Sequence, residues 1–376
     1  MTTPRTVLVI GGGAAGNAVT VLLRRAGITV DLIEAKPDWN ATTGSGITLQ
    51  GNALRVLREL GVWDEVESFG WAFGSLGVIA PDGTLLHEAE DLRTGGDDLP
   101  ATLGMQRPRL QQILIDAVRA SGAHVRLGTT AETLDQDAEG VSARFDDGTT
   151  GRYDLVIAAD GLNSATRTAI GITAKPEPTG MAIWRTTVPR PAGLVRTDLA
   201  YGGPAYIAGY CPTGPDSIYA YAVEACRDRA TIDPATYADE MRRLTQGYGG
   251  HWAAITPHIT DPAKVNYTWF DRLLVEGSWH RGRVVLVGDA AHCCPPTLAQ
   301  GAAMSLEDAS VLVELLTAGR DWDDDLLQRY HERRIPRVRA VVEASVQLGQ
   351  WQLDGVRDAD VPGLIGRTMT MLKELP

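Results

Sequence analysis

A chain of 376 residues is more than one hydrophobic core usually supports, so two lobes are expected, and 44% hydrophobic with 22% charged residues is an ordinary globular balance. A net charge of −12 argues against nucleic acid as a partner, because phosphate binding wants a basic surface. The chain shows neither a basic-then-apolar leader nor an apolar run of about 18 residues, so no secretion or membrane contact is expected and a reducing cytoplasm is the default location.

The first predicted elements are a strand, Val7 to Ile10, the turn Gly11-Gly12-Gly13-Ala14-Ala15-Gly16, a helix through Val19, Leu22 and Leu23 to Gly27, and a second strand, Thr29 to Ile33, ending in Glu34. This is G-x-G-x-x-G in a strand–turn–helix setting. The glycines serve the tight turn, the close approach of a pyrophosphate and helix-on-strand packing, and Glu34 can accept from a ribose hydroxyl. A glycine-rich turn before a core helix would account for the glycines but not for Glu34. The expected dinucleotide contacts are Gly11, Gly13, Ala15, Gly16, Glu34 and Ala35.

Between Trp39 and Gly61 a glycine-broken strand precedes an amphipathic helix, a pattern that a generic loop and helix also gives. From Leu103 to Val118 an apolar helix follows Arg107, and a strand, Val125 to Leu127, leads to Thr130-Ala131. Tyr153 to Arg167 holds another apolar strand that ends in Asp160-Gly161, where Asp160 also reads as a cap for the following helix. From about Thr173 to Asp271 the pattern changes to alternating strands with hairpin signals: Met181 to Val188, Ala205 to Tyr210, and Ile218 to Val223 around the turn Pro212 to Asp216, then a short helix, Tyr237 to Leu244. An antiparallel sheet inserted into the first domain is expected. Tyr206 and Tyr210 should share one face of their strand, and Tyr219 and Tyr221 one face of the next. Aromatic residues on a sheet are more often core than ligand pocket.

Arg283 to Glu307 is the densest signal. A β-branched run, Val284 to Val287, delivers Gly288-Asp289 to a tip; Pro295-Pro296 forbids a helix; helical spacing then starts near Gly301. Gly301, Ala302 and Ala303 begin that helix with backbone N–H groups that lack intrahelical partners, so it attracts negative charge and admits a planar ligand closely. Helices follow to about Thr317 and from Asp325 to Gln347; beyond Asp354 no strong signal is found. Cys211, Cys226, Cys293 and Cys294 have no metal-like spacing, so no metal site is expected.

Read together, the segment GDAAH-x-x-PP-x-x-x-QG resembles the "GD" motif of the flavoprotein aromatic hydroxylases, single-component FAD monooxygenases similar to salicylate, urate and p-hydroxybenzoate hydroxylases. Asp154, Asp160, Gly161, Ser164 and Arg167 match that family's "DG" motif, and the three motifs stand in the family's order. The resemblance implies that Asp289 bonds the ribityl chain of FAD, and that Gly288, Pro296, Gln300, Gly301, Ala302 and Ala303 surround the flavin's pyrimidine edge. It places Gly46, Ile47 and Thr48 beside the flavin ring, Arg107 on the flavin side, Ala131 near adenine and Asp160 near the pyrophosphate. Two departures are visible: Ala303 stands where relatives often have Asn, and Gly51 where proline is usual.

The implied fold is two-domain α/β: a Rossmann-like FAD-binding domain from 1–75, 100–175 and 272–350, an inserted antiparallel β-sheet substrate domain from 76–99 and 176–271, and a C-terminal segment, 351–376. With one dinucleotide fingerprint, filled by FAD, NADPH or NADH would visit transiently. The implied reaction passes oxygen from O2, through a flavin C4a-hydroperoxide, to an electron-rich aromatic, heteroaromatic or polycyclic small molecule by hydroxylation or epoxidation, in a monomer or homodimer. Many relatives carry a histidine base on the substrate sheet; this chain has Tyr206 there, a poor base at neutral pH. The substrate is therefore expected to be enolic or phenolic already, oriented by Tyr206, Tyr210, Tyr219 or Tyr221. A nicotinamide-dependent dehydrogenase has no use for Asp289 and the Pro-Pro loop, a halogenase would carry W-x-W-x-I-P where this chain has Ile183-Trp184-Arg185, and a non-catalytic flavin-binding protein stays open.

Overall fold

Residues 5–40, 45–319 and 321–376 are described in the computed structural model. Part of the expected glycine-broken segment, residues 41–44, lies outside them. The apolar runs read from the sequence form a six-stranded sheet in the order His280–Arg281, Val284–Leu286, Leu155–Ala158, Thr6–Ile10, Thr29–Glu34, His124–Leu127. All neighbours are parallel except the edge pair His280–Arg281 with Val284–Leu286.

Alternation along the central strand explains why that sheet is covered twice. Val7 and Val9 pack with the helices Ala14–Arg25, Arg107–Ala120 and Gly301–Ala318 on one face. Leu8 and Ile10 pack on the other against Val141, Ala143 and Phe145 of a small antiparallel sheet, Ala131–Gln136, Val141–Phe145 and Thr150–Tyr153. Strands buried on both faces read as unbroken apolar runs, as these do.

The second large sheet has eight strands, in the order His292–Cys293, Asn266–Leu274, Glu177–Pro189, Ser217–Ala225, Ile207–Pro212, Thr197–Tyr201, Ser75–Ile79, Leu85–Glu90. It is antiparallel as expected save for one pair, Thr197–Tyr201 with Ser75–Ile79, which is parallel. Its two faces differ. Ala182, Trp184, Tyr210, Ala220 and Ala222 pack against the helices Tyr237–Thr245 and Trp252–Ile255, forming a core of their own. The opposite face carries Met181, Ile183, Tyr219, Tyr221 and Val223. A three-stranded sheet, Gly46–Gln50, Thr102–Gln106 and Trp71–Phe73, abuts that inner face so tightly that a Cβ on Gly104 would collide with the carbonyl of Pro212.

Past Asp354, where no signal was found, the chain forms a helix, Val361–Met371, whose Asp360 cap accepts from Gly363 N at 2.9 Å. It is anchored to the 30-residue helix Asp324–Leu353 by Arg337, which donates to the carbonyls of Met371 (2.9 Å) and Leu372 (3.0 Å). Among the described residues no helix is long and apolar enough to cross a membrane.

Candidate active site

The glycine turn is built by contacts that tolerate no side chain. Gly11 has φ +104°, and a Cβ there would collide with the carbonyl of Ala159; a Cβ on Gly16 would collide with the carbonyl of Gly11. Gly13, by contrast, has open space where a Cβ would stand, and it caps the helix Ala14–Arg25 without any side-chain hydrogen bond. No side chain occupies the first-turn N–H groups of that helix, as an anion site requires. Glu34 is held alongside: one oxygen accepts from Gly12 N at 2.8 Å and the other from Lys36 N at 2.9 Å. Two residues the sequence reading passed over, Trp39 and Gln111, fix the turn by donating to Gly12 O at 2.9 and 2.8 Å. Ala35 is exposed just beyond Glu34, and Thr129 N donates to Glu34 O at 3.0 Å, which brings Ala131 to the same edge. The helix Ala165–Ala169 is capped by Ser164, which accepts from Arg167 N at 2.8 Å; Asp160 supports that cap, accepting from Ser164 Oγ at 2.5 Å and Thr166 N at 3.0 Å, and its neighbour Ala159 packs on Gly11.

The Gly-Asp segment meets this turn from the other side. Gly288 has φ +59°, and a Cβ would come within 2.9 Å of Ser305 Oγ and 3.1 Å of Ala15 Cβ. Its N–H donates to Asp308 Oδ2 at 2.8 Å; His292 Nε2 lies 2.6 Å from the same oxygen, and Arg334 Nε reaches Asp308 Oδ1 at 2.7 Å. Glu307 extends the buried network to Arg334 at 3.1 Å and Arg337 at 2.8 Å. Burial alone would raise the pKa of Asp308, but His292 and Arg334 outweigh it and hold the group below the usual carboxylate range. The signal for this network was two adjacent acids, Glu307 and Asp308, inside an otherwise apolar helix run.

Asp289 projects beyond the clamp into a cleft that water enters, yet protein surrounds it densely. Its carboxylate accepts no hydrogen bond among the described residues. Burial raises its pKa, with His292 and Arg107 offsetting only part of the rise. Ala299, at φ 53°, is the one non-glycine residue with positive φ among the described residues, and it turns the chain from Pro296–Leu298 into the helix that starts at Gly301. Gln300 is fully buried; its side chain contacts Gln50 and accepts from Asn52 Nδ2 at 2.9 Å, which ties this helix start to the strand Gly46–Gln50. Gly51 earns its departure from proline: a Cβ there would collide with the backbone N of Gly95.

Across the cleft, Tyr219 lies directly on Gly46, where a Cβ would collide with it, and Thr48 Oγ1 is 3.5 Å from Cys211 Sγ. Tyr219 and Tyr221 share a face as expected, their rings 4.9 Å apart. Tyr206 and Tyr210 do not. Tyr210 is 2% exposed on the opposite face, edge-on to Trp252, with its hydroxyl donating to Asp198 at 3.0 Å; Tyr206 precedes the strand, where the chain turns, and packs with Met181, Ile183 and Val223. Tyr210 is thus a core residue and is withdrawn as a pocket residue. Arg185, overlooked in the sequence, follows Met181 and Ile183 on the inner face; a charge in phase with a buried apolar stripe was its signal. Burial pushes the Cys211 thiol up to about 11 and that of Cys294 to about 12, so neither is a reactive thiolate.

Two helix starts without side-chain caps, an acid at the end of the second strand and an unpartnered carboxylate beyond the Gly-Asp tip are the parts of a dinucleotide-binding redox protein, and the residues present fit FAD. A family model described as FAD binding domain matches residues 5–345. The 2-heptyl-3-hydroxy-4(1H)-quinolone synthase of Pseudomonas aeruginosa is 31% identical over 352 residues, 92% of this chain and 90% of that protein. The FAD-dependent urate hydroxylase of Klebsiella oxytoca is 30% identical, covering 89% and 87%. The crystal structure of Klebsiella pneumoniae HpxO complexed with FAD and uric acid superposes with TM-score 0.83 at 25% identity, over 98% of this chain and 92% of that one. The chain belongs to the family of FAD-dependent aromatic hydroxylases, and it is a monooxygenase.

Proposed function

We propose that this enzyme uses NAD(P)H and O2 to hydroxylate an electron-rich ring, with FAD lying between the Ala14 and Gly301 helix starts. FAD, when bound, supplies two-electron transfer from the nicotinamide and activation of O2. The observation that carries the reading is Asp289, a carboxylate without a protein donor among the described residues, close to Arg107, which Tyr219 also approaches. Gly11, Gly13, Ala15 and Gly16 would hold the pyrophosphate, Glu34 the ribose, and Asp289 the ribityl hydroxyls. Backbone N–H groups of Gly301, Ala302 and Ala303 would favour negative charge on the flavin's pyrimidine edge. Gly46, Ile47 and Thr48 would form one wall for the ring, and Arg107 would close the flavin side.

The eight-stranded sheet's inner face would roof the substrate. We assign no base there: His292 is bonded to Asp308 at 2.6 Å, His87 stands exposed on the far edge strand, and His251 stacks edge-on to Tyr210 at 5.7 Å on the outer face. The test is purification followed by a panel of phenols, heteroaromatic acids and polycyclic ketones. Yellow protein with one FAD per chain and substrate-stimulated NAD(P)H oxidation with a product heavier by one oxygen is expected. Protein that takes up no FAD, or that binds it without any stimulated oxidation, would overturn the reading.

A further inference from the structure

Two arginines outside the cleft stand over aromatic rings at its mouth. Arg109 Cζ lies 3.4 Å from the ring centre of Phe69, and Arg190 Cζ 3.5 Å from that of Trp71. The two stacks form one patch: a Cβ on Gly214 would touch the carbonyl of Phe69, and Arg190 donates to Gly214 O at 3.3 Å. It borders the edge where the flavin ring is expected, since Trp71 stands opposite Gly104 and Gly46 opposite Gln106 in the three-stranded sheet. Residues two apart on a helix are turned by about 200°, so Arg109 is directed away from Arg107, which stays with Asp289.

Both cations lack an acid. Arg109 is exposed and, among the described residues, forms no ion pair and donates no hydrogen bond; Arg190 donates only to backbone carbonyls, those of Leu194, Gly214 and Pro215. Asp216 acts on Arg190 without forming an ion pair, and Asp64, Glu65 and Glu67 of the helix Trp63–Phe69 are exposed and pair with neither arginine. A guanidinium laid on a ring has given up part of its hydration and freedom beforehand, and its fork suits phosphate oxygens. In the proposed reaction FAD's pyrophosphate is assigned to the Ala14 helix start, and neither O2 nor an aromatic ring brings a phosphate. One phosphate-bearing reactant is left.

We infer that Arg109 and Arg190 hold the phosphates of the nicotinamide coenzyme while its ring reaches past Gly46 to the flavin. This rests on the function proposed above and gives its visiting reductant a place on the surface.

The test titrates FAD-loaded protein calorimetrically with ADP, 2′,5′-ADP and inorganic pyrophosphate, none of which reacts. Saturable binding is expected, weakened about tenfold in Arg109→Gln and in Arg190→Gln and weaker as salt is raised. FAD content and reduction by dithionite should stay at wild-type values, while KM for NAD(P)H rises with kcat little changed. Tighter binding of 2′,5′-ADP than of ADP would put the 2′-phosphate on the patch, and equal binding the pyrophosphate. Arg152→Gln, an equal loss of charge on the small antiparallel sheet, should bind all three probes as wild type does. No saturable binding to the wild type, unchanged binding in both patch variants, or an equal loss in Arg152→Gln would overturn the inference while the functional reading stands. Loss of FAD from the patch variants would also overturn it, since the arginines would then serve FAD. Wild-type protein without FAD uptake or substrate-stimulated NAD(P)H oxidation would bring down both.

Discussion

At the scale of single residues, Asp289 is stabilised by little that the chain itself supplies. Its folded pKa is raised above the ordinary carboxylate value, because the surrounding protein displaces water and His292 and Arg107 offset only part of that cost. A raised acid contributes stability that is present at low pH and lost as pH climbs through the folded value. Asp289→Asn should therefore raise the melting temperature of FAD-free protein slightly near neutral pH, with the difference fading as the pH falls and the wild-type carboxylate takes up its proton. The same variant should bind FAD more weakly, by about 1.5–3 kcal/mol, because the charged acceptor is lost. A stability difference that does not change with pH would show that the ionisation of Asp289 does not bear on folding. Arg107→Ala should lower FAD affinity or slow flavin reduction with the fold intact, since water reaches the guanidinium and no core packing depends on it. Normal binding and reduction kinetics would remove it from the proposed site.

At the scale of elements, the junction between Gly46–Gln50 and the helix Gly51–Glu59 shows what a family pattern does and does not transfer. Proline suits the first helical position in general. Here Gly51 N donates to Ala101 O at 2.9 Å and its α-carbon is crossed by Gly95, so Gly51→Pro should destabilise by about 2–4 kcal/mol, from overpacking plus a lost hydrogen bond. Denaturant unfolding measures this, and an unchanged midpoint would mean that the Gly95 segment moves aside freely. Strands and turns of this kind were legible because each is specified within some ten residues: the glycine turn, the Gly-Asp tip and the helix at Gly301 all fall where the sequence puts them. The helix Val361–Met371 carried a local signal too, an Asp360 cap with Pro362 in its first turn, which was passed over because its apolar stripe is short. The Asp308 clamp was legible only as two adjacent acids in an apolar helix run, not as a network. Its partners stand 16 to 26 residues away, and only the packing of Asp324–Leu353 on Gly301–Ala318 brings them together. Arg334→Met should cost about 3–5 kcal/mol by leaving Asp308 and Glu307 buried without their shared cation, and Asp308→Asn combined with it should recover part of that loss. Strictly additive effects in the double variant would mean that the two do not act as a pair.

At the scale of the molecule, the cleft exists because two sheets with their own cores meet through residues too small to separate them: Gly46 under Tyr219 and Gly104 under Pro212. The tyrosine that this contact fixes is placed to donate. Burial raises the pKa of Tyr219, and Arg185 and Arg107 offset only part of that rise, so the hydroxyl stays protonated at neutral pH and offers its hydrogen to an oxyanion rather than taking one. Tyr206 sits instead with Met181, Ile183 and Val223, and its hydroxyl is not bonded to any cleft residue. The two tyrosines should therefore separate experimentally. Tyr219→Phe is expected to raise KM and to divert NAD(P)H consumption from product to hydrogen peroxide, because a substrate held by one donor fewer is less often in line for oxygen transfer. Tyr206→Phe should keep wild-type coupling. Neither variant should introduce a pKa between about 6 and 8 into the oxygen-transfer step, since His292 is tied to Asp308, His87 stands on the far edge strand, and tyrosine titrates far above that range. Product yield per NAD(P)H across pH decides it: equal coupling in both variants, or a neutral pKa that disappears on replacing His251 or His258, would show that the substrate lies against a different part of the sheet.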